Sequence, residues 1–494
     1  MEMKTIKLFT LLSLLSWLML AFTSSNSNGN NLQTGQVEMK GYPDSDGVIS
    51  FRAEAKQITI DWGDGTKEEM TPNGIENEFT HHYSNSDFQT ILINTKKMIS
   101  LDPGYRVTEL RFGNCPNLER IDCSNRKLTK LNLSGCKALK QLFCCDNQLT
   151  ELNLSSRALE LIYCDDNQLT ELNLSECKAL KVLFCDNNQL TELNLSGCTD
   201  LEELFCHDNQ LTGLNLNGCK ALSRLGCNNN QLTELNLSGY TALVDIFCED
   251  NQLTELNLSG CTALTSIHNS FDRQLTKLNL SGCTDLLWFG YSNRPLTELN
   301  LSGCTALMEL RCPDNQLTEL NLSGCTALEL LDCINNQLTE LNLSECNALD
   351  RLYCDNNQFV KLNLSERWAL RILWCSNSSQ LTELNLKGCT ALNEVWCNDN
   401  HQLTELNIMG CTDLMKLECD NNQLTELDLS WCRALLSLKC RNNRLTAAKL
   451  NVLFGSLPEK DNADYSVFIR GNPGVATCNR KIATKKNWKV VDYE

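Results

Sequence analysis

Histidine, proline and aromatic residues are scarce in this chain of 494 residues, which has five histidines and eight prolines and is 6% aromatic. The histidines are also dispersed, because His81 and His82 adjoin while His207, His268 and His401 fall in separate stretches. The sequence has no Ser/His/Asp or Cys/His constellation, no Gly-rich phosphate loop and no HExxH motif. An enzyme needs convergent, non-repeated polar groups. We therefore expect a protein that is not an enzyme, with no metal site and no cofactor.

Positive charge is in deficit, and long apolar runs are nearly absent. The chain has 43 Lys and Arg against 61 Asp and Glu, a formal net charge of −18, which argues against binding to nucleic acid or an anionic membrane. The apolar run of residues 8–22 follows Lys4 and Lys7 and is short for a membrane span. We interpret residues 1–25 as a secretory signal peptide and expect no transmembrane segment. The protein should be exported to the cell surface, the medium or the periplasm.

One repeated unit dominates the chain, and residues 190–210 (LTELNLSGCTDLEELFCHDNQ) are an example of it. Its LxxLxC motif recurs sixteen times between residues 107 and 445, at a spacing of 20 to 22 residues. The last position of the motif is Cys123, Cys144, Cys164, Cys185, Cys206, Cys227, Cys248, Asn269, Tyr291, Cys312, Cys333, Cys354, Cys375, Cys397, Cys419 and Cys440. Such a period predicts a solenoid, because one unit cannot bury its apolar face without neighbours.

Each unit contains two stretches in which apolar and polar residues alternate. In the first, Leu204 and Cys206 should point inward and Phe205 outward, because side chains alternate along a strand. An Asn follows three residues after the cysteine, at 12 of the 16 coils, and can hydrogen-bond the backbone of the next turn. The other stretch, residues 190–196, predicts a second, shorter parallel strand on the opposite side of each coil.

The pattern LxxLxCxxNxL resembles the leucine-rich repeats of bacterial surface proteins, above all the internalin-like type whose 21-residue units carry a cysteine ladder. The resemblance covers about 340 residues of the chain. It implies a mainly β fold: a leucine-rich-repeat solenoid of about 16 coils with parallel sheets. The function that it implies is binding, although repeats of this kind serve many unrelated tasks.

Twenty-nine cysteines in an exported protein would ordinarily suggest disulfides. Fourteen of them lie in the LxxLxC motif, and thirteen form a second ladder, eight residues before it: Cys115, Cys136, Cys177, Cys198, Cys219, Cys261, Cys283, Cys304, Cys325, Cys346, Cys389, Cys411 and Cys432. Cysteines stacked in parallel register are about 4.8 Å apart, too far for the usual bridged Cβ atoms. We interpret them as buried thiols that act as small core residues. Only Cys145 and Cys478 fall outside both ladders.

The segments that flank the repeats have different patterns. Residues 35–101 contain strand signals, and the stretches 60–65 (IDWGDG) and 79–83 (FTHHY) resemble the polycystic-kidney-disease (PKD) type of β-sandwich. A metal site at His81, His82, Asp61 and Asp64 is the alternative interpretation of these residues, which serve as turn and strand-edge residues in that fold. The repeats, residues 107–445, are followed by residues 446–494, which we predict to be an α+β cap with a helix that ends at Gly455.

The outward position between the inner Leu and the Cys of the first strand is aromatic in eight of sixteen coils. These residues are our candidate ligand-binding residues: Phe143, Tyr163, Phe184, Phe205, Phe247, Tyr353, Trp374 and Trp396. Contiguous exposed apolar patches usually mark interaction sites. The alternative is that the rings stack on one another and stabilise the sheet. Acidic residues lie beside them at Asp165, Asp186, Asp208, Asp250 and Asp355.

The second stretch carries a row of glutamates, one per coil in most coils, including Glu192, Glu298 and Glu405. We interpret it as a solvated face, with a weak divalent-cation strip as the alternative. For the whole chain, we predict a bacterial surface or adhesion-type protein that binds a protein or glycan, possibly of host origin, on the concave strand face. It should be a monomer. The alternative is a passive spacer or surface scaffold without a ligand.

Overall fold

The computed structural model describes residues 32–72, 74–104, 106–154, 156–265, 267, 272–461 and 465–493. The interpreted signal peptide and two residues of the repeat alignment, His268 and Asn269, lie outside the described residues. The chain forms a mainly β solenoid of parallel strands, which confirms the fold class predicted from the repeat. The solenoid has about 18 turns rather than 16, because strands at both ends join its sheets.

Eight strands precede the first full coil: β1 (Gln36–Gly41), β2 (Val48–Ala55), β3 (Ile58–Asp61), β4 (Lys67–Met70), β5 (Asn77–His82), β6 (Gln89–Thr95), β7 (Met98–Asp102) and β8 (Val107–Phe112). One sheet has the order β8-β1-β6-β3-β4 and the other the order β7-β2-β5. The side chains of Phe51, Trp62 and Phe79 are buried in their core.

The coils contribute the strands β9 (Arg120–Asp122), β10 (Lys130–Asn132), β11 (Gln141–Phe143), β12 (Leu161–Tyr163), β13 (Glu171–Asn173), β14 (Val182–Phe184), β15 (Glu192–Asn194), β16 (Glu203–Phe205), β17 (Arg224–Gly226), β18 (Asp245–Phe247), β19 (Glu255–Asn257), β20 (Lys277–Asn279), β21 (Trp288–Gly290), β22 (Glu298–Asn300), β23 (Glu309–Arg311), β24 (Glu319–Asn321), β25 (Leu330–Asp332), β26 (Arg351–Tyr353), β27 (Lys361–Asn363), β28 (Ile372–Trp374), β29 (Glu383–Asn385), β30 (Glu394–Trp396), β31 (Glu405–Asn407), β32 (Lys416–Glu418) and β33 (Ser437–Lys439).

These strands belong to two sides of the solenoid. The first side consists of the strands of the LxxLxC motif, which form one parallel run from β9 to β18 and another from β21 to β33. The second side consists of the shorter TELNL segments, whose described strands form separate groups of two, four and three, with isolated bridges between other coils. Equivalent residues of successive coils pair in register, for example Phe184 with Phe205 on the first side and Glu171 with Glu192 on the second. Both predicted strands of the unit are therefore present.

The core consists of the inward leucines and cysteines of both sides, which are almost fully buried. None of the 29 cysteines, all of which lie in the described ranges, forms a disulfide, and 27 of them are buried, while Cys145 and Cys478 are partly exposed. Second-ladder thiols also donate weak hydrogen bonds to the preceding coil, as from Cys198 Sγ to Leu174 O at 3.3 Å. Burial raises the pKa of ladder thiols, for example that of Cys115 to about 11. The interpretation of the ladders as core thiols is confirmed.

The turn that recurs from coil to coil depends on the asparagine three residues after the first-ladder cysteine. The Nδ2 of Asn209 donates to the carbonyl oxygens of Cys185, Cys206 and His207 at 3.0, 3.3 and 2.9 Å. Its Oδ1 accepts from the backbone N–H of Leu190 at 3.0 Å. The same pattern recurs at other coils, so a column of asparagines satisfies buried backbone groups that have no strand partner.

The residue before each of these asparagines is Asn or Asp in a left-handed conformation, with φ of 51° at Asp208 and 60° at Asn421. Residues other than glycine rarely adopt this region, and Asn and Asp tolerate it best. The DNN, HDN and NNN triplets of the repeat are thus explained by backbone geometry.

Both ends of the solenoid continue into the flanking segments. At the amino end, β7 pairs with β9 and β8 pairs with β10, so both sheets of the preceding strands are extended by coil strands. β8 therefore belongs to both parts of the molecule, since it also pairs with β1.

The cap contains α1 (Ala447–Ser456), β34 (Tyr465–Phe468), α2 (Lys481–Thr484) and β35 (Trp488–Val491). The side chain of Thr446 caps α1 by accepting from the N–H of Lys449 at 3.4 Å. The predicted end of this helix at Gly455 is wrong by one residue. The helix includes Gly455 and stops before Leu457, which is extended because Pro458 follows it.

The cap also prolongs the first side. β34 pairs in parallel with β33, and β35 with β34. Asn472 repeats the turn contacts of the coils, since its Nδ2 donates to Cys440 O at 2.8 Å and its Oδ1 accepts from Leu445 N at 3.1 Å. The last coil is thereby covered.

Candidate binding face

The eight candidate aromatic residues all end a strand of the first side and project from its outer surface. We call them the aromatic row. Every ring is half-buried, although the alternation of the repeat places these residues on the outer surface. Neighbouring rings cover each other from Phe143 to Phe205 and from Tyr353 to Trp396, since equivalent positions in adjacent coils are in register.

The amino-terminal part of the row is a continuous stack of four rings. Centroids lie 5.4 Å apart between Phe143 and Tyr163, 4.6 Å between Tyr163 and Phe184, and 4.7 Å between Phe184 and Phe205, with interplanar angles of 16°, 7° and 19°. The guanidinium of Arg120 lies 4.4 Å from the ring centroid of Phe143 and closes that end.

Gly226 separates this stack from Phe247. A Cβ atom at Gly226 would lie 2.3 Å from the ring of His207 and 2.7 Å from that of Phe205, so both rings extend over the glycine. The Nδ1 of His207 accepts from the N–H of Asn228 at 3.1 Å, and burial lowers the pKa of His207. The missing side chain at Gly226 thus makes room for the rings of the preceding coil.

The carboxyl-terminal part of the row has three rings. Trp374 and Trp396 are stacked at 4.9 Å and 17°, and Tyr353 meets Trp374 edge-on at 4.9 Å. The ammonium of Lys416 lies 4.2 Å from the ring centroid of Trp396. In both parts of the row, ring faces contact neighbouring groups, and in the carboxyl-terminal part the indole Nε1 atoms of Trp374 and Trp396 are buried as well.

The acidic residues beside the row fall into two structural classes. Asp186 and Asp355 accept backbone N–H groups of the next coil, His207 N and Ser376 N, each at 2.6 Å. Burial raises the pKa of Asp186 to about 6, and the charges of Asp165 and Asp208 add to this effect, while the bond from His207 N opposes it. Asp208 and Asp250 occupy left-handed turn positions. These carboxylates therefore organise the turns as well as bordering the row.

The second side presents glutamates and asparagines. A shallow groove of about 560 Å³ follows β19, β20, β22 and β24 and is lined by Glu234, Leu235, Asn236, Glu255, Leu256, Asn257, Lys277, Leu278, Asn279, Glu298, Leu299, Asn300, Glu319 and Asn321. Lys277 Nζ lies 3.3 Å from Glu255 Oε1 and 3.5 Å from Glu298 Oε1, which relieves the repulsion between them. Within the described ranges, no group of three or more His, Cys, Asp or Glu is placed to hold a metal ion.

The residues that prompted a metal interpretation near the amino end make contacts within a turn. Asp64 accepts from the N–H and hydroxyl of Thr66 and lies 2.7 Å from His81 Nε2, and these contacts lower its pKa. The His81 ring stacks on Trp62 at 4.9 Å. Asp61 Oδ1 accepts from Gly63 N. The cluster holds the WGDG turn against β5.

An apolar patch that the aromatic column does not indicate lies between the two parts of the aromatic row. Leu287, Trp288 and Met308 are 46%, 42% and 44% exposed, and Met308 N donates to Leu287 O in the adjacent coil. We call these three residues the central patch. In the sequence, the residue after the first Leu of the LxxLxC motif distinguishes the coils of the patch. This residue is Leu287 and Met308 in the two coils of the patch, whereas in the first six coils it is Glu119, Lys140, Glu160, Lys181, Glu202 and Ser223.

In the part of the chain that the structure describes, no helix is long and apolar enough to cross a membrane.

Comparisons with known proteins add the following. No protein-family model matches the chain, and no curated protein matches it in sequence. Among solved structures, the functional domain of InlJ from Listeria monocytogenes, which includes a cysteine ladder, is 29% identical, with 61% of this chain and 73% of that chain covered and a TM-score of 0.32. The leucine-rich effector protein YopM from Yersinia pestis is 21% identical, with 75% and 87% covered and a TM-score of 0.31. An internalin, InlF from Listeria monocytogenes, is 20% identical, with 68% and 81% covered and a TM-score of 0.24. The structural neighbours are thus leucine-rich-repeat proteins.

Proposed function

We propose that this chain is a non-catalytic recognition protein that presents the first side of its solenoid to a protein ligand. The observation that carries the proposal is the aromatic row. In a chain that is 6% aromatic, eight rings occupy one outward column. Aromatic residues are enriched at the centres of protein interfaces.

The stacking geometry favours a protein ligand over a glycan. A sugar ring binds an aromatic side chain by lying on its face, and the faces of Tyr163, Phe184 and Trp374 are covered by neighbouring rings. The partly exposed rings form a ridge, and carboxylates such as Asp165 lie beside it. A rigid ridge of this kind binds at low entropic cost, because its side chains are already ordered.

The competing function is a passive spacer in which the row only stabilises the sheet. Stacked pairs contribute about 0.5 to 1.5 kcal/mol beyond the area they bury, so stability alone is a sufficient reason for stacked rings. The two functions differ in what happens to binding when the rings are shortened.

The experiment begins with a cross-linking pull-down from host mucosal and bacterial envelope extracts, followed by affinity measurements with the purified partner. Phe184→Ala and Trp374→Ala should each weaken binding by about 1 to 3 kcal/mol. Glu192→Ala and Asn194→Ala on the second side are the matched controls and should leave affinity unchanged. If the aromatic variants lower the melting temperature and bind normally, the row is a stabilising device and the spacer function is favoured.

We also propose the finer assignments that the sequence suggests. Residues 1–25 would direct export of a bacterial surface protein, residues 35–101 would form a PKD-like unit, residues 107–445 the solenoid and residues 446–494 the cap. Amino-terminal sequencing of the exported protein would show whether the first 25 residues are removed. Light scattering would test the proposed monomer, and a panel of hydrolase substrates would test the proposed lack of catalysis.

A further inference from the structure

We propose that the central patch, Leu287, Trp288 and Met308, is the main contact for a protein segment that carries an apolar anchor flanked by basic residues. The inference rests on the proposed function, since it places the contact on the same side of the solenoid. It differs in assigning the anchor to side chains outside the aromatic row.

The residue after the first Leu of LxxLxC is charged in eight of the sixteen coils and apolar in five, namely at Val244, Leu287, Met308, Met415 and Leu436. Leu287 and Met308 lie in adjacent coils, and Trp288 beside them is exposed as well. The same column forms ion pairs between coils elsewhere, for example Lys140 with Glu119 at 2.9 Å and Arg371 with Asp350. At Leu287 and Met308 these charges are replaced by exposed apolar side chains. Exposed apolar side chains have no solubility benefit, and contiguous patches of them mark interaction surfaces.

Trp288 supplies an indole ring that lies outside the stacks. A Cβ atom at Gly290 would lie 3.6 Å from Cζ2 of the Trp288 ring, so the ring lies over the glycine. Its strand neighbour in the next coil is Glu309, which pairs with Arg311. The ring is 42% exposed, whereas the rings of the aromatic row are covered by one another. A partner side chain therefore has direct access to it.

Charge around the patch identifies the class of partner. In the two coils of the patch and the coil that follows, first-side outer positions carry the carboxylates Glu309, Asp314, Glu329 and Asp332, against the guanidinium groups of Arg294 and Arg311. Three further carboxylates, Asp245, Glu249 and Asp250, lie two coils before Leu287. The chain as a whole has a formal net charge of −18. Electrostatic complementarity selects a basic partner and accelerates its association, and a cation also interacts favourably with the face of an indole.

A second apolar pair in the same column provides a matched control. Met415 and Leu436 are 44% and 41% exposed, and the carboxylates near them, Glu418 and Asp420, are already paired with Lys416, Lys439 and Arg441. A basic partner should therefore gain less from this pair than from the central patch. Similar exposure and different charge surroundings separate the contribution of charge from that of apolar area.

The test uses the full chain without residues 1–25 and three synthetic peptides of equal length: an amphipathic Leu/Lys peptide, a Leu/Glu peptide and a Ser/Lys peptide. Calorimetry should show that the Leu/Lys peptide binds at least tenfold more tightly than the other two. The Leu287→Gln/Met308→Gln variant should lose at least tenfold in affinity for it, and Trp288→Ala a similar factor. Met415→Gln/Leu436→Gln should stay within twofold of the unaltered protein.

Four outcomes would overturn the proposal. The first is equal binding of the Ser/Lys and Leu/Lys peptides, which would show that charge alone is recognised. The second is an equal loss of affinity for the Leu/Lys peptide in the patch and control variants. The third is binding of a neutral oligosaccharide that requires Trp288, and the fourth is no binding of any peptide. Phe184→Ala/Trp374→Ala separates this inference from the proposed function. If that variant weakens binding of the purified partner while the patch variants do not, the proposed function stands and the central patch is excluded.

Discussion

The two sides of the solenoid contribute the same kinds of residue to the core but differ in their outward and turn residues. Both point leucines and cysteines inward, in register from coil to coil. The first side adds an asparagine column and stacked rings, and its strands form long continuous runs. The second side adds like-charged glutamates, and its described strands form short groups. Continuity of a parallel sheet therefore depends on the outward and turn residues as much as on the core.

The largest expected difference between the sides concerns asparagine. Asn209→Ala removes four hydrogen bonds and leaves buried backbone groups of Cys185, Cys206 and Leu190 without that partner. Each unsatisfied buried group costs about 1 to 3 kcal/mol, so we expect a loss of at least about 3 kcal/mol. Asn194→Ala on the second side removes one exposed contact, to Ser196 N. Chemical denaturation should show that Asn194→Ala lowers the free energy of unfolding much less than Asn209→Ala does. Equal losses of stability in the two variants would refute the contrast between the sides.

The next effect concerns Asp186 and depends on pH. Its folded pKa of about 6 is above the value of 3.8 for an unperturbed carboxyl. The folded state therefore binds the proton more tightly, so this stabilising contribution is fully present below about pH 3.8 and is lost as the pH rises through 6. Asp186→Asn keeps an acceptor for His207 N and should raise stability at pH 7.5 by about 1 to 3 kcal/mol.

The same substitution should change little at pH 4, where Asp186 is protonated. Melting curves at both pH values measure the difference, with Glu192→Gln on the exposed second side as the control. An equal gain at both pH values would show that ionisation of Asp186 is not the cause.

Cysteine should show a smaller effect that is alike on both sides. Cys206→Ala and Cys198→Ala remove fully buried sulfur atoms and should each cost roughly 1 kcal/mol or somewhat more. Cys145→Ala should cost almost nothing, because this side chain is partly exposed and outside both ladders. A thiol reagent without reductant should react with nearly all cysteines only after denaturation. Twenty or more unreactive cysteines in the denatured chain, equivalent to ten or more disulfides, would refute the interpretation of the ladders as thiols.

The smallest effect is expected on the second side. Glu171 and Glu192 are directly paired there, and like charges opposite each other are destabilising. Glu192→Gln should raise stability by a few tenths of a kcal/mol at low ionic strength, and the gain should vanish in high salt. Lys277→Gln should act in the opposite direction, because it removes the cation between Glu255 and Glu298. Melting curves at two salt concentrations would test both signs.

The sequence was sufficient for features that recur in every coil. The 21-residue period predicted the stacked strands, the inward cysteines and the role of residues such as Asn209. It did not predict that the rings of Phe184 and Phe205 would cover each other's faces, because ring orientation depends on side-chain torsions in two coils at once. The continuation of the sheets through β8 into the preceding strands also lacked a repeat signal. The central patch was not predicted, because Leu287 and Met308 occupy a column of mixed composition in which Val244, Met415 and Leu436 are also apolar.

The 21-residue interval between paired residues has a consequence for the order in which the thiols can be buried. Most contacts of a coil are with the next coil, so the relative contact order of the repeats is about 0.04, below the range typical of helical bundles. A coil therefore needs only its immediate neighbours to enclose its pair of thiols, and folding can propagate from any coil along the array. In an array that grows in this way, only the coil at the growing end offers its sulfur atoms to an oxidant.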